Sequence, residues 1–98
     1  MDVLFADADL ALIETEEAGR TRLPVPVIKS ARRKLTVLRA AIDERSLRNW
    51  KSLHYEKLKG DREGQRSIRL NDKFRMVFTL DETVSPQVAT ILSIEDYH

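Results

Sequence analysis

The sequence predicts an α+β fold in one domain, with two helices near the start followed by a mainly antiparallel sheet of four to five strands. Apolar residues recur at helical spacing from Ile28 to Ile42, whereas side chains alternate with a period of two from Phe74 to Leu80. The three prolines and three glycines fall between such segments, where they punctuate the chain. Ninety-eight residues, 42% of them apolar, supply one hydrophobic core and leave no room for a second, so the domain is expected to span residues 1–98.

Residues 2–6 read as a short strand. Asp7 or Asp9 is placed to cap a short helix whose buried stripe contains Leu10 and Ile13, with Leu12 beside them; Gly19 ends it and Arg20-Thr21-Arg22 forms a basic turn. Proline lacks an amide hydrogen but presets φ, so Pro24 and Pro26 fit before or within the first turn of a second helix. On that helix Ile28, Ala31, Leu35, Leu38 and Ile42 line one face, and Lys29, Arg32, Arg33, Thr36 and Arg39 the other. Residues 43–49 form an irregular or short helical connection, after which Trp50 and Leu53 are expected to cover an edge of the core.

The remainder reads as a meander with strands at 54–59, 65–70, 74–80 and 87–94, and Pro86 at a turn. Phe74, Met76, Phe78 and Leu80 share one face, so Arg75, Val77 and Thr79 point the other way. The turn before Phe74 sets the register. A two-residue turn would place Leu70 opposite Lys73 and Ile68 opposite Arg75, mixing apolar and cationic side chains. A three-residue loop, Asn71-Asp72-Lys73, instead pairs Leu70 with Phe74, Ile68 with Met76 and Arg69 with Arg75. Two arginines in facing positions repel, so this register needs nearby carboxylates or an anion bound between them; the anion is the expectation adopted here.

Composition excludes several classes. There is no cysteine, hence no disulfide framework and no thiolate ligand, and the two histidines, His54 and His98, do not make a zinc site unaided. No apolar run exceeds four residues, against roughly 20 needed to cross a bilayer. The start, Met1-Asp2-Val3-Leu4-Phe5, lacks the pattern of an export signal, so a cytoplasmic location is expected. Charge is segregated: all 17 Lys and Arg lie within residues 20–75 against six acids there, a surplus of 11, while the two ends carry the other ten acids. The middle is therefore a candidate polyanion surface.

From Tyr55 onward the chain carries Glu56-x-Leu58-Lys59-Gly60-Asp61, then residues 64–75 with the pattern Ser67-Ile68-Arg69-x-Asn71-Asp72-x-x-Arg75, and finally Glu95-Asp96-Tyr97-His98. In this combination it resembles the HigB branch of the RelE/ParE superfamily, the toxins of type II toxin-antitoxin modules. The resemblance implies a RelE/ParE-like fold and an endonuclease that enters the ribosomal A site and cuts mRNA. It implies as partner a HigA-type antitoxin with a helix-turn-helix DNA-binding domain, through which operator DNA is reached only indirectly.

Metal-free RNA cleavage by 2′-hydroxyl attack needs a proton acceptor, a proton donor and cations for the equatorial phosphate oxygens, and no cofactor. Arg69 and Arg75 match superfamily arginines, whose forks suit a phosphorane. His98 matches the terminal histidine, with an imidazole that titrates near neutral pH and an adjacent α-carboxylate expected to raise its pKa. Tyr97 is placed to stack on a base or orient the phosphate, and Asp96 to fix the imidazole or the fold. Glu56 stands where relatives carry a histidine or a glutamate and is nominated as proton acceptor, with His54, two positions earlier, left as either a substitute or an ordinary strand histidine. Which of Glu56, Tyr97 and His98 is acid and which is base stays open. Lys57, Lys59, Arg32, Arg33, Arg62 and Lys73 are the cations expected against RNA or the ribosome, and Arg66 is expected at a core edge with its stem covered. Two other readings remain: a ParE-like toxin that binds DNA gyrase and cuts no RNA, and a non-catalytic RNA- or antitoxin-binding relative.

Overall fold

Helical and alternating periods sort the apolar side chains onto two surfaces that meet in a single core. In the computed structural model, which describes residues 1–96, strand β1 (Asp2–Phe5) is followed by helix α1 (Ala8–Ala11), capped by the Asp7 carboxylate accepting from the Asp9 amide at 2.8 Å. The chain then tightens into 3-10 turns at Leu12–Glu14 and Ala18–Thr21. Gly19 thus lies inside a turn and does not end the helix. The helix gives way to a 3-10 turn at Leu12, and Thr15 closes that turn: its hydroxyl donates to the Leu12 carbonyl at 2.7 Å and accepts from the Glu17 amide at 3.1 Å, offering the backbone a local alternative to further helix.

Helix α2 (Val25–Ala40) has Pro24 at its N-cap and Pro26 in its first turn, as the proline argument requires, and buries Val27, Ile28, Ala31, Leu35 and Leu38. Ile42 departs from the expected stripe and is 80% exposed. The chain leaves the helix at Ala41, which is extended at φ −73° and ψ 144°, so the helical period stops and Ala41 takes the buried place. The amino group of Met1 donates to the carbonyls of Leu38 (3.4 Å) and Arg39 (3.1 Å) and to that of Ala41, placing a cation at the negative end of the helix. Helix α3 (Glu44–Asn49) is capped by Asp43, and Leu47 and Leu53 are fully buried. Trp50, expected to cover the core, is 52% exposed; Leu53 alone does so.

Five strands form one sheet in the order β1-β5-β4-β3-β2, parallel between β1 and β5 (Val88–Asp96) and antiparallel elsewhere. Strand β2 (Glu56–Lys57) is shorter than residues 54–59, because His54 is left-handed at φ 46° after a 3-10 turn at Lys51–Leu53. Strands β3 (Gln65–Arg69) and β4 (Phe74–Asp81) join through the three-residue loop: Ile68 pairs with Met76, Arg69 with Arg75, and the Leu70 amide donates to the Phe74 carbonyl at 2.9 Å. The Asn71 side chain fastens this loop by accepting from the amides of Lys73 and Phe74, each at 2.8 Å. Ile68, Met76, Phe78, Ala89 and Ile91 meet the helices in the core, as α+β layering demands. Among the described residues, no helix is long and apolar enough to cross a membrane.

Candidate active site

The face of the sheet turned away from this core carries the polar chemistry. Residues in direct cross-strand register point the same way, so two rungs cross the sheet on this face: Glu56, Ser67, Val77 and Ser93, and beside it Arg69, Arg75 and Glu95. Between them opens a cleft of about 200 Å³ lined by Leu58, Arg62, Ser67, Arg75, Val77, Glu95 and Asp96. Arg62 comes from the 3-10 turn Gly60–Arg62, entered through Gly60 at φ 68° and left before Gly64 at φ 91°, conformations that glycine adopts without a Cβ clash.

Each arginine of this face is held. Arg75 donates from Nε to Ser67 Oγ (2.9 Å) and from Nη2 to the His54 carbonyl (2.6 Å), and Nη2 lies 3.6 Å from Glu56 Oε1. Arg62 grips Glu95 with both terminal nitrogens at 2.8 and 2.5 Å, and its Nε donates to Gln65 at 3.0 Å. That fork holds the Glu95 carboxyl below the usual carboxylate range against the opposing effect of burial, and the Ser93 hydroxyl, donating at 2.5 Å, adds to it. Arg69 pairs with Asp72 and donates to the Asn71 carbonyl at 3.3 Å. The facing pair Arg69 and Arg75 has carboxylates beside it, Asp72 on one side and Glu56 on the other, one of the two ways of relieving their repulsion that the register allows.

Of the residues nominated from the sequence, Glu56, Arg69 and Arg75 share this face, and Arg62, Arg75 and Asp96 line the cleft. Tyr97 and His98 lie outside the described residues. Other nominated cations sit elsewhere. Arg32 donates to the carbonyls of Ile13 (2.7 Å) and Thr15 (2.8 Å), tying α2 to the turn after α1, and Arg33 is exposed on α2. Lys57 alternates to the helix side, 3.6 Å from Glu44. With Lys59 it lines a separate groove of about 560 Å³ around Gly60 and Gly64, and Lys73 is exposed in the β3–β4 loop. Arg66 is at a core edge as expected, though its head is also sequestered, 3.4 Å from Glu44 and 3.2 Å from Glu82. His54 contributes its carbonyl to the site.

Two participants went unnominated, Ser67 and Glu95. The register that pairs Arg69 with Arg75 also places Ser67 on their face, which is the signal that could have found it; Glu95 required knowledge of a bulge in β5. Among the described residues, no group of three or more His, Cys, Asp or Glu side chains is arranged to hold a metal ion.

A five-stranded, mostly antiparallel sheet with helices on one face is the α+β fold of small RelE/YoeB-like toxin structures. The chain belongs to the family of RelE-like toxins of the type II toxin-antitoxin system HigB, whose profile it matches over residues 5–97. It is similar in fold to the YoeB/ParE toxin from Agrobacterium tumefaciens (16% identity, all of both chains covered, TM-score 0.64). It is also similar to YafQ from E. coli (8% identity, 98% of this chain and 92% of that one, TM-score 0.65). A third likeness is to the YoeB-YefM complex from Staphylococcus aureus (18% identity, 100% of this chain and 98% of that one, TM-score 0.62). No curated protein matches the chain.

Proposed function

We propose that this toxin is a ribosome-dependent mRNA endonuclease that acts in the cytoplasm and is neutralised by a HigA-type antitoxin bearing a helix-turn-helix domain. The observation that carries the reading is Arg75, fixed at two points in a cleft with a carboxylate, Glu56, 3.6 Å from its fork. In this reading Glu56 takes the proton of the 2′-hydroxyl, and the freed oxygen attacks the neighbouring phosphorus as the bond to the 5′-oxygen breaks. His98 gives a proton to that leaving oxygen, so the products are a 2′,3′-cyclic phosphate and a 5′-hydroxyl. Charge grows on the equatorial oxygens, where Arg75 and Arg69 stabilise it more strongly in the transition state than in the substrate. Arg62 contributes a third cation, Tyr97 stacks a base and Asp96 orients the imidazole. Lys59 and Lys73 contact RNA or ribosome outside the cleft.

Arg75→Ala lowers the cleavage rate by about 10²–10³-fold, the effect of deleting one charge-stabilising donor, and relieves growth arrest while the fold persists. His98→Ala has the same direction. Mapping mRNA ends after induction checks both: cuts within translated codons are expected for the wild type and are strongly reduced in the variants. DNA damage signalling without mRNA cuts would overturn the reading in favour of gyrase binding, and undiminished cleavage by both variants would overturn the site.

A further inference from the structure

Among the groups that hold Arg75 are two uncharged ones, a serine hydroxyl and a backbone carbonyl. Ser67 is 1% exposed although it stands on the polar face of the sheet, and Ser30 is the other fully buried polar residue of the described chain. The two hydroxyls do different things. Ser30 donates to the Leu70 carbonyl at 2.7 Å and so ties α2 to the end of β3, an ordinary structural bond. Ser67 Oγ accepts from Nε of Arg75 at 2.9 Å, which fixes the long side chain at the root of its guanidinium. The second fixing point is the His54 carbonyl, 2.6 Å from Nη2. His54 is left-handed at φ 46° and ψ 48°, a conformation costly for a residue with a Cβ, held at the end of a 3-10 turn anchored by the fully buried Leu53.

We propose that Ser67 is a positioning residue for Arg75: with the His54 carbonyl it forms a two-point cradle that aims the guanidinium before RNA arrives. The inference rests on Arg75 acting as the transition-state cation. A free arginine side chain populates many rotamers, and the freedom removed in the cradle does not have to be removed during reaction. Donors fixed in advance require no reorganisation as charge develops. Ser67 therefore governs the chemical step and not the affinity for the ribosome, and its whole effect passes through Arg75.

The test is single-turnover cleavage of mRNA on programmed ribosomes at saturating toxin, with ribosome affinity and thermal unfolding measured in parallel. Ser67→Ala is expected to slow cleavage roughly tenfold, as for a small misplacement at a reacting centre, with affinity within about twofold of wild type. Ser67→Thr, which keeps the hydroxyl, restores most of the rate. Ser67→Cys, nearly isosteric and a poor acceptor, reproduces the loss if alanine packs badly. In an Arg75→Ala background, adding Ser67→Ala has no further effect on the residual rate, since the group it positions is gone. Ser30→Ala lowers the melting temperature without slowing cleavage. A wild-type rate in Ser67→Ala beside a slow Arg75→Ala overturns the positioning role alone. The same holds if the full Ser67→Ala loss persists without Arg75. A wild-type rate in Arg75→Ala removes the reading beneath both.

Discussion

Glu95 faces Arg75 because β5 holds one residue more than β4 across from it. Phe78 pairs with Ile91 and Val77 with Ser93, so Leu92 has no partner and the alternation of β5 flips at that point. Ala89 and Ile91 face the core before the bulge and Ile94 after it, which brings Glu95 out beside Arg75. Unbroken alternation would have set Ile94 there. Once on the polar face, Glu95 occupies the fork of Arg62, the grip that a phosphate would otherwise take. Glu95→Gln removes that competing anion. An exposed pair of this kind is worth under about 1 kcal/mol, so affinity for a non-cleavable 2′-O-methyl RNA should rise up to roughly fivefold at low salt. The gain should shrink as salt is added. Titration by fluorescence anisotropy checks this. Unchanged or weaker binding would make the Arg62–Glu95 pair a strut that serves only the fold.

Helix α3, with six residues, is too short to persist alone. Besides the Asp43 cap and buried Leu47, it is held by a charged clasp beneath its first turn. Glu44 accepts from the Tyr55 hydroxyl at 2.9 Å and lies 2.5 Å from Arg48, 3.6 Å from Lys57 and 3.4 Å from Arg66. Burial alone would raise the Glu44 carboxyl, and the Tyr55 hydroxyl with the three cations outweighs it, leaving the group below its ordinary value. Burial and then the neighbouring carboxylate push the Tyr55 phenol far above the usual range. Glu44→Ala strands the Arg66 guanidinium with Glu82 as its remaining carboxylate. The expected loss is roughly 2 kcal/mol, below that for a deeply buried pair because Glu82 remains. Melting should fall by about 8–16 °C. Lys57→Ala, at a far more exposed partner, should cost under about 0.5 kcal/mol. Thermal unfolding monitored by circular dichroism separates the two, and equal losses would mean that the clasp does not hold the helix.

Such short elements mark the limit of what the sequence discloses. The long strands, α2 and the β3–β4 loop are legible because many side chains vote for one parity: shifting Arg69 out of register with Arg75 would also have exposed Ile68 and Leu70. The end of the 3-10 turn after α1, the two residues of β2 and the turn-out at Ala41 each depend on a local event that no period encodes. These are the Thr15 hydroxyl, a left-handed His54 and an extended Ala41. The site divides the same way. Arg75 and Arg69 follow from parity, whereas the carbonyls that hold Arg32 and the carboxylate near Lys57 lie far along the chain and are not legible from spacing.

At the scale of the molecule, the charge segregation along the chain is partly offset by folding. Acids of the N-terminal end reach into the basic middle, Glu14 to Arg39 and Glu17 to Arg20, and acids of the C-terminal end do likewise, Glu82 to Arg66 and Glu95 to Arg62. These four acids act as internal counterions to part of the basic middle. This arrangement fixes the response to acid. Hydrogen bonds from Arg39 to Glu14 and from Arg62 to Glu95 hold both carboxyls below the usual carboxylate range, and Glu44 is held low as well. A group depressed in the folded state contributes stability that is complete above its unfolded pKa and is lost as pH falls through the folded one. Stability in urea titrations should therefore be level from pH 7 to about 5 and fall below about 4.5, as counterions are protonated and the basic middle repels itself. Glu14→Gln with Glu95→Gln should be less stable than wild type at pH 7 by about 1 kcal/mol, because both pairs are partly exposed, and the curves should converge as acid protonates the two carboxyls in the folded protein. Parallel curves across the whole range would show that these acids do not stabilise the fold as counterions.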